Sequence, residues 1–177
     1  PQFARIFAEL GAELPAPTRI AVNADDEMFI VTGGDGRIRR VDGVTGIIST
    51  VARIPSPTDV AQDPAGNLYI AEAAIGNDPA RVRRVDAVTG ILTTVAGGGT
   101  GGDGVAATQT HLDYPAAAEI DAAGNLYIAD RGPGGVSGTV RRVDAVTGII
   151  MTVAGGGTGE SGDGIPANQA WLSWPSG

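Results

Sequence analysis

Apolar residues in this chain come in short bursts set apart by Gly, Asn, Asp and Pro: LYIA at 68–71, VRRV at 82–85, ILTTVA at 91–96. Bursts of that length, rich in aromatic and β-branched side chains and bounded by turn formers, predict strands. None of these segments holds a 3.6-residue period long enough for a helix. The first residues are ambiguous. Phe3, Ile6, Phe7 and Leu10 fit a helical face, while 3–8 also reads as a strand.

Aligning the chain on itself organises everything else. GNLYIA at 66–71 recurs 58 residues on, at 124–129, and VRRVDAVTGILTTVA at 82–96 recurs at the same offset, at 140–154. A looser copy, IRRVDGVTGIISTVA, occupies 38–52. An aliphatic residue followed three positions later by proline marks the phase, at Leu14/Pro17, Ile54/Pro57, Leu112/Pro115 and Leu172/Pro175. The prolines lie 40, 58 and 60 residues apart, so like units differ in their loops.

Each unit reads as four antiparallel strands, a to d. Strand a follows the proline (19–22, 59–62, 116–120), strand b is 28–31, 68–71 and 126–129, strand c is 81–85 and 139–143, and strand d is 91–96 and 149–154. The a–b turns, DPAGN at 63–67 and DAAGN at 121–125, use Gly and Asn where a tight hairpin needs positive φ. The c–d turn, DAVTG at 86–90, offers an Asp carboxylate to the turn's N–H groups and closes on a glycine, as at Gly46 and Gly148.

Tandem units of this size and strand count predict β-propeller blades. The motifs GNLYIAD, VRRVD, TGI and TVAG, in this order, resemble the NHL repeat family. That resemblance implies a propeller, usually six-bladed, with strand a lining a central channel. The first unit departs from it, with Asp26-Glu27-Met28-Phe29 in place of Gly-Asn-Leu-Tyr, and its a–b turn is expected to differ.

The fold class is therefore all-β, three four-stranded blades of an incomplete ring, for which the resemblance implies six. The divisions are 1–16, the last strand of a preceding blade and a linker; 17–56, 57–114 and 115–174, the blades; and 175–177, the start of another. Three blades are fewer than the about four to eight that close a ring. A window from a longer array is the first reading, and a half ring closed by a second copy is the second. Either way, an arc of three is expected to leave two apolar blade faces exposed.

Composition narrows the partners. Arginine supplies all 12 basic residues against 20 acidic ones, for a net charge of −8. That balance disfavours capture of nucleic acid or anionic lipid, which needs a basic stripe. There is no cysteine, and no apolar run approaches the roughly 20 residues of a membrane span.

Function is expected on the variable rim. The a–b and c–d turns are short and nearly constant, while the b–c and d–a connections carry all the length variation, and in a meander those two sets share one rim. The candidate binding residues there are Asp103, His111, Asp130, Arg131 and Asp163. Asp103 and Asp163 sit in Gly-Asp-Gly, where a carboxylate amid backbone carbonyls suits Ca2+; the spacing lacks the alternating acids of a calcium loop, so turn formation is the favoured reading and no cofactor is assigned. The glycine run at 97–102 has neither a following Lys-Ser/Thr nor a helix and is no phosphate loop. His111, the only histidine, cannot build a multi-histidine zinc site and reads as a packed or loop residue. One arginine of each pair, Arg39/Arg40, Arg83/Arg84 and Arg141/Arg142, is read as an inter-blade hydrogen-bonding group. Trp171 and Trp174 are read as core or interface packing.

Two functional classes follow. The first is a non-enzymatic interaction module, an extracytoplasmic (extracellular, cell-surface or periplasmic) part of a larger bacterial protein that presents its long loops to a protein or glycan; the resemblance to NHL-containing surface and sensor proteins points to it. The second is a metal-dependent lyase- or lactonase-like enzyme, for which Glu119, Asp121, Asn23 and Asp63 are the only polar candidates near the channel. Partners are thus a protein or glycan, together with further blades of the same chain or a second copy.

Overall fold

The computed structural model describes residues 14–135, 137–158 and 163–177. The strand-or-helix question at 3–10 lies outside them. Twelve strands form three four-stranded antiparallel meanders. The first contains Pro17–Val22 (β1), Met28–Thr32 (β2), Arg37–Val41 (β3) and Ile48–Arg53 (β4). The second contains Pro57–Gln62 (β5), Leu68–Glu72 (β6), Arg81–Val85 (β7) and Leu92–Gly97 (β8). The third contains Pro115–Ile120 (β9), Leu126–Asp130 (β10), Thr139–Val143 (β11) and Ile150–Gly155 (β12). These are blades 1, 2 and 3 of an incomplete propeller. Every sheet opens on its proline, whose missing N–H is tolerated at the first residue of a strand, and the a–b register slips beside it at Pro17/Arg19, Pro57/Asp59 and Pro115.

The inner strands β1, β5 and β9 lie side by side and are stitched across blades. Asn23 Nδ2 donates to Gln62 Oε1 (3.0 Å), Thr58 Oγ1 to the Pro115 carbonyl (2.6 Å), and the Ala118 N–H to Asp59 Oδ2 (2.9 Å). The core lies between sheets. Phe29, Val31 and Ile38 of blade 1 pack on Val60, Leu68, Ile70 and Val85 of blade 2. Ala71, Val82 and Ala96 of blade 2 pack on Ala118, Leu126, Ile128 and Ile150 of blade 3. The d–a connection after β8 joins this second interface: a 3-10 turn over Ala107–Gln109 tucks in, and Val105 and Gly104 pair with Ile150 of β12.

The first a–b turn does not differ as expected. Asp26 donates its N–H to the Asn23 carbonyl (3.2 Å) and takes φ +57°, the same left-handed site filled by Gly66 (+86°) and Gly124 (+83°). Asn23 Oδ1 accepts from the Asp25 and Glu27 N–H groups, as Asp63 and Asp121 do from theirs. Compensation comes from the neighbouring turn. Where blades 2 and 3 have Ala87 and Ala145, blade 1 has Gly43, at which a Cβ would collide with the Asp25 and Asp26 backbone.

The expectation of two exposed apolar faces is also corrected. On the outer face of blade 1, Met28, Ile30 and Val41 are buried, with Leu14 packed against them. Among the described residues it is blade 3 that leaves a face partly open, at Met151 and Val153.

Candidate functional site

The two rims are built differently. On the a–b/c–d rim, polar side chains are consumed by the turns. Asp42, Asp86 and Asp144 each accept the N–H groups two and three residues on and the Thr hydroxyl of the same turn. Those bonds, the Thr89 N–H first, hold the Asp86 carboxyl down at about 2. Asn67 and Asn125 tie each a–b turn to its c–d neighbour by accepting the Ala87 and Ala145 N–H groups (3.0 and 3.1 Å). This rim shows to solvent a valine at each c–d tip, Val44, Val88 and Val146, 93–94% exposed, with Ile47 and Ile91 beside them and Asp25 and Asp26 in the first a–b turn. Inward of it, the concave trough along β1, β5 and β9 is lined by Asn23, Asp59, Gln62 and Glu119, among others. Burial pushes the Asp59 carboxyl up against the pull of the Ala118 N–H, and partial burial followed by the Asp59 charge raises Glu119. Asp63 and Asp121 are spoken for by the turns. Among the described residues no three His, Asp or Glu side chains are grouped to hold a metal.

The b–c/d–a rim holds the five candidates, and the structure sorts them. Asp130 is buried, not a surface ligand. It accepts the Asp113 and Tyr114 N–H groups (Tyr114 at 2.7 Å) and staples the loop to β10, and burial pushes its carboxyl up against those bonds. Asp103 is also engaged: Arg141 Nη2 donates to Oδ1 at 2.7 Å and the Thr152 N–H to Oδ2 at 2.9 Å. Burial raises its carboxyl, but the Thr152 bonds and the Arg141 charge bring it below the usual value. Asp163 is exposed in its turn. His111 is exposed, its Nε2 3.4 Å from Asp113.

Arg131 is the candidate the structure develops. Its guanidinium carbon stands 5.2 Å from the Tyr114 ring centroid and 5.4 Å from that of Trp174, and its Nε donates to the Pro175 carbonyl at 3.3 Å. A cation between two aromatic faces is oriented as well as attracted. Trp174 is thus not core packing, as the sequence suggested: it is 60% exposed, with Tyr114 at 40% and Trp171 at 41%. Its backbone is left-handed (φ +52°), as is Ala16 before Pro17 (φ +49°), a costly conformation for a bulky residue. Sequence reasoning missed Tyr114, although Tyr114 and Trp174 share one address, directly before the blade-opening proline.

The arginine pairs are corrected too. Among the described residues, Arg141 is the one that leaves its own sheet, reaching Asp103, Thr110 and the His111 carbonyl in the connection between blades 2 and 3. Its counterpart Arg83 stays within blade 2, 3.6 Å from Glu72, and Arg39 bonds the Ser49 carbonyl beside it. Two differences accompany this: the long connection after β8 that receives Arg141 has no counterpart in the short one after β4, and Glu72 meets Arg81 and Arg83, whereas Asp130, one methylene shorter at the same register, turns to backbone N–H groups.

Comparisons agree on the fold. No family model matches the chain, and no curated protein matches it. Among solved structures it is similar to a protein of unknown function from Bacteroides thetaiotaomicron (19% identity over 89% of this chain and 40% of that one, TM-score 0.65). It is similar also to a chain of the nidogen/laminin complex (16% identity, 87% and 51%, TM-score 0.62) and to hydrazine synthase of Kuenenia stuttgartiensis (21% identity, 81% and 37%, TM-score 0.59). The chain spans about half or less of each. At these identities the likeness is one of fold, and the class is that of β-propeller scaffolds.

Proposed function

We propose that this chain is a non-enzymatic, NHL-type segment of a propeller in a larger extracytoplasmic bacterial protein, and that its b–c/d–a rim contacts a protein or glycan partner. The observation that carries this is the contrast between rims. One uses its polar side chains to close its own turns. The other exposes His111, Tyr114, Trp171 and Trp174 around a half-buried Arg131, the aromatic and arginine side chains that dominate binding hot spots. That a nidogen/laminin structure shares the fold supports a protein-contacting role for such scaffolds. No cofactor takes part in this reading.

The test is to screen the purified chain on glycan and peptide arrays and repeat the screen with two variants. Trp174→Ala is expected to abolish the signal, and Val88→Ser, at the tip of the opposite rim, to leave it unchanged. The reverse pattern would move the binding face to the constant rim and end this proposal.

A further inference from the structure

We propose that the variable rim holds a recognition site for a uronic-acid sugar, with Arg131 and Arg19 meeting the carboxylate and Tyr114 flanking the ring; this rests on that rim being the binding face. Most arginines of this acidic chain have found carboxylates: Arg37 has Asp35, Arg40 has Glu27, Arg81 and Arg83 share Glu72, Arg84 has Asp86, Arg142 has Asp144. Among the described residues Arg131 has none within 4.0 Å, and Arg19 reaches only Asp59, at that limit. Arg131 and Arg19 both line one cavity of about 180 Å³, with Thr18, Pro57, Thr58, Tyr114 and Ala116. A guanidinium without an internal counter-ion offers a planar fork that matches a carboxylate in two bonds. Two of them around one small space make that match the chemistry the space favours.

Size and lining narrow the ligand further. The cavity lies below the roughly 300 Å³ at which drug-sized pockets begin, so it takes one ring-sized unit. The Tyr114 ring in its lining suits the apolar C–H face of a pyranose. The Tyr114 backbone is tied by its N–H to Asp130, and Trp174 beside Arg131 is held in a left-handed backbone conformation. The arginine between them is therefore aimed before any ligand arrives, which limits the ordering cost of binding.

The experiment titrates the purified chain with glucuronate at constant ionic strength and follows tryptophan fluorescence, to which only Trp171 and Trp174 contribute. Glucose, acetate and N-acetylglutamate serve as comparison ligands. Saturable quenching by glucuronate is expected, weakened at least about tenfold in Arg131→Gln and Arg19→Gln and unchanged in Arg84→Gln, which lies on the other rim. Arg131→Lys keeps the charge but loses the planar fork, and should bind several-fold weaker with its circular dichroism unaltered. An equal response to acetate or N-acetylglutamate would leave a general carboxylate site and overturn the sugar assignment. An equal response to glucose would overturn the role of the arginines while leaving the rim as a glycan surface. No saturable response at all overturns the site, and the array screen then decides separately whether the rim binds anything.

Discussion

Blades 2 and 3 share GNLYIA and VRRVDAVTG, yet the same face of the two sheets has two fates. In blade 2, Ala71, Val82 and Ala96 are sealed under blade 3, each 0% exposed. Their counterparts Ala129, Val140 and Ala154 are half-buried, and Met151 and Val153 on the same face are 49% and 36% exposed. The apolar alternation on strands b, c and d is thus a docking instruction written into every unit, and burial follows only where a neighbour answers it. In repeat architectures stability is carried by such interfaces as much as by the unit itself.

The largest test of that difference puts one charge at both places. Val82→Asp buries an unpaired carboxylate between blades 2 and 3 and should cost on the order of 4 kcal/mol or more, a large part of a domain's stability. Val140→Asp can keep its carboxylate in water and should cost no more than about 1 kcal/mol. Urea denaturation of the two variants decides. Equal losses would mean that the open face of blade 3 is already covered in solution. Next in size is overfilling. Ala96→Leu forces three extra heavy atoms into a packed interface, for about 1–3 kcal/mol, while Ala154→Leu should stay within about 0.5 kcal/mol.

Why the fold was legible and the site was not can be read from the same residues. Strand positions repeat with the motif, so Leu68–Glu72 and Leu126–Asp130 fall within a residue of their sequence assignment. Turn chemistry repeats too, which is why Asp86 and Gly90 do what their spacing requires. The candidate site depends on what the repeat does not fix. Asp130 and Arg131 are adjacent in sequence, but one ends a strand facing the blade interface and the other leaves it, so one is a buried staple and the other a rim cation. Arg83 and Arg141 sit in the same VRRVDAVTG, but what differs lies outside it: the long connection after β8 supplies Asp103 and Thr110 to Arg141, whereas the short one after β4 supplies no such partner and Arg83 turns to Glu72. Such outcomes turn on contacts between blades, which a motif read one unit at a time does not contain.

A smaller effect isolates blade 1, where two turns changed together. Gly43→Ala drives a methyl into the Asp25–Asp26 backbone and should cost about 1–3 kcal/mol. Asp26→Gly alone relieves a left-handed side-chain residue and should gain up to about 1 kcal/mol. Combined, they recreate the Gly-and-Ala pairing of Gly66 with Ala87, and the cost of Gly43→Ala should shrink well beyond simple addition, since contacting sites couple. Additive behaviour in thermal unfolding would show that the two turns are independent and that the pairing is accidental.

The smallest effect belongs to the rim that the two sheets build alike. Asp86 and Asp144 make the same bonds in the same turn, although the Gly148 carbonyl that closes the second turn also accepts the Ala107 N–H from the connection between blades 2 and 3. The Asp86 carboxyl is lowered from 3.8 to about 2, chiefly by the Thr89 N–H, so the folded state prefers it ionised. A depressed acid gives stability that is complete above its unfolded value and is lost as pH falls through its folded one. The gap in melting temperature between the native chain and Asp86→Ala should therefore be present at about pH 6 and close as pH drops from about 4 to about 2. Asp59 and Asp130, raised by burial, act in the opposite sense, regaining stability on protonation, but they do so equally in both proteins and leave the difference untouched. Asp144→Ala should trace the same curve, its carboxyl being lowered by the matching Thr147 bonds. A gap that differs between the two turns would mean that the unlike faces of blades 2 and 3 reach as far as their rims, whereas matching curves would confine the difference to the docking face alone.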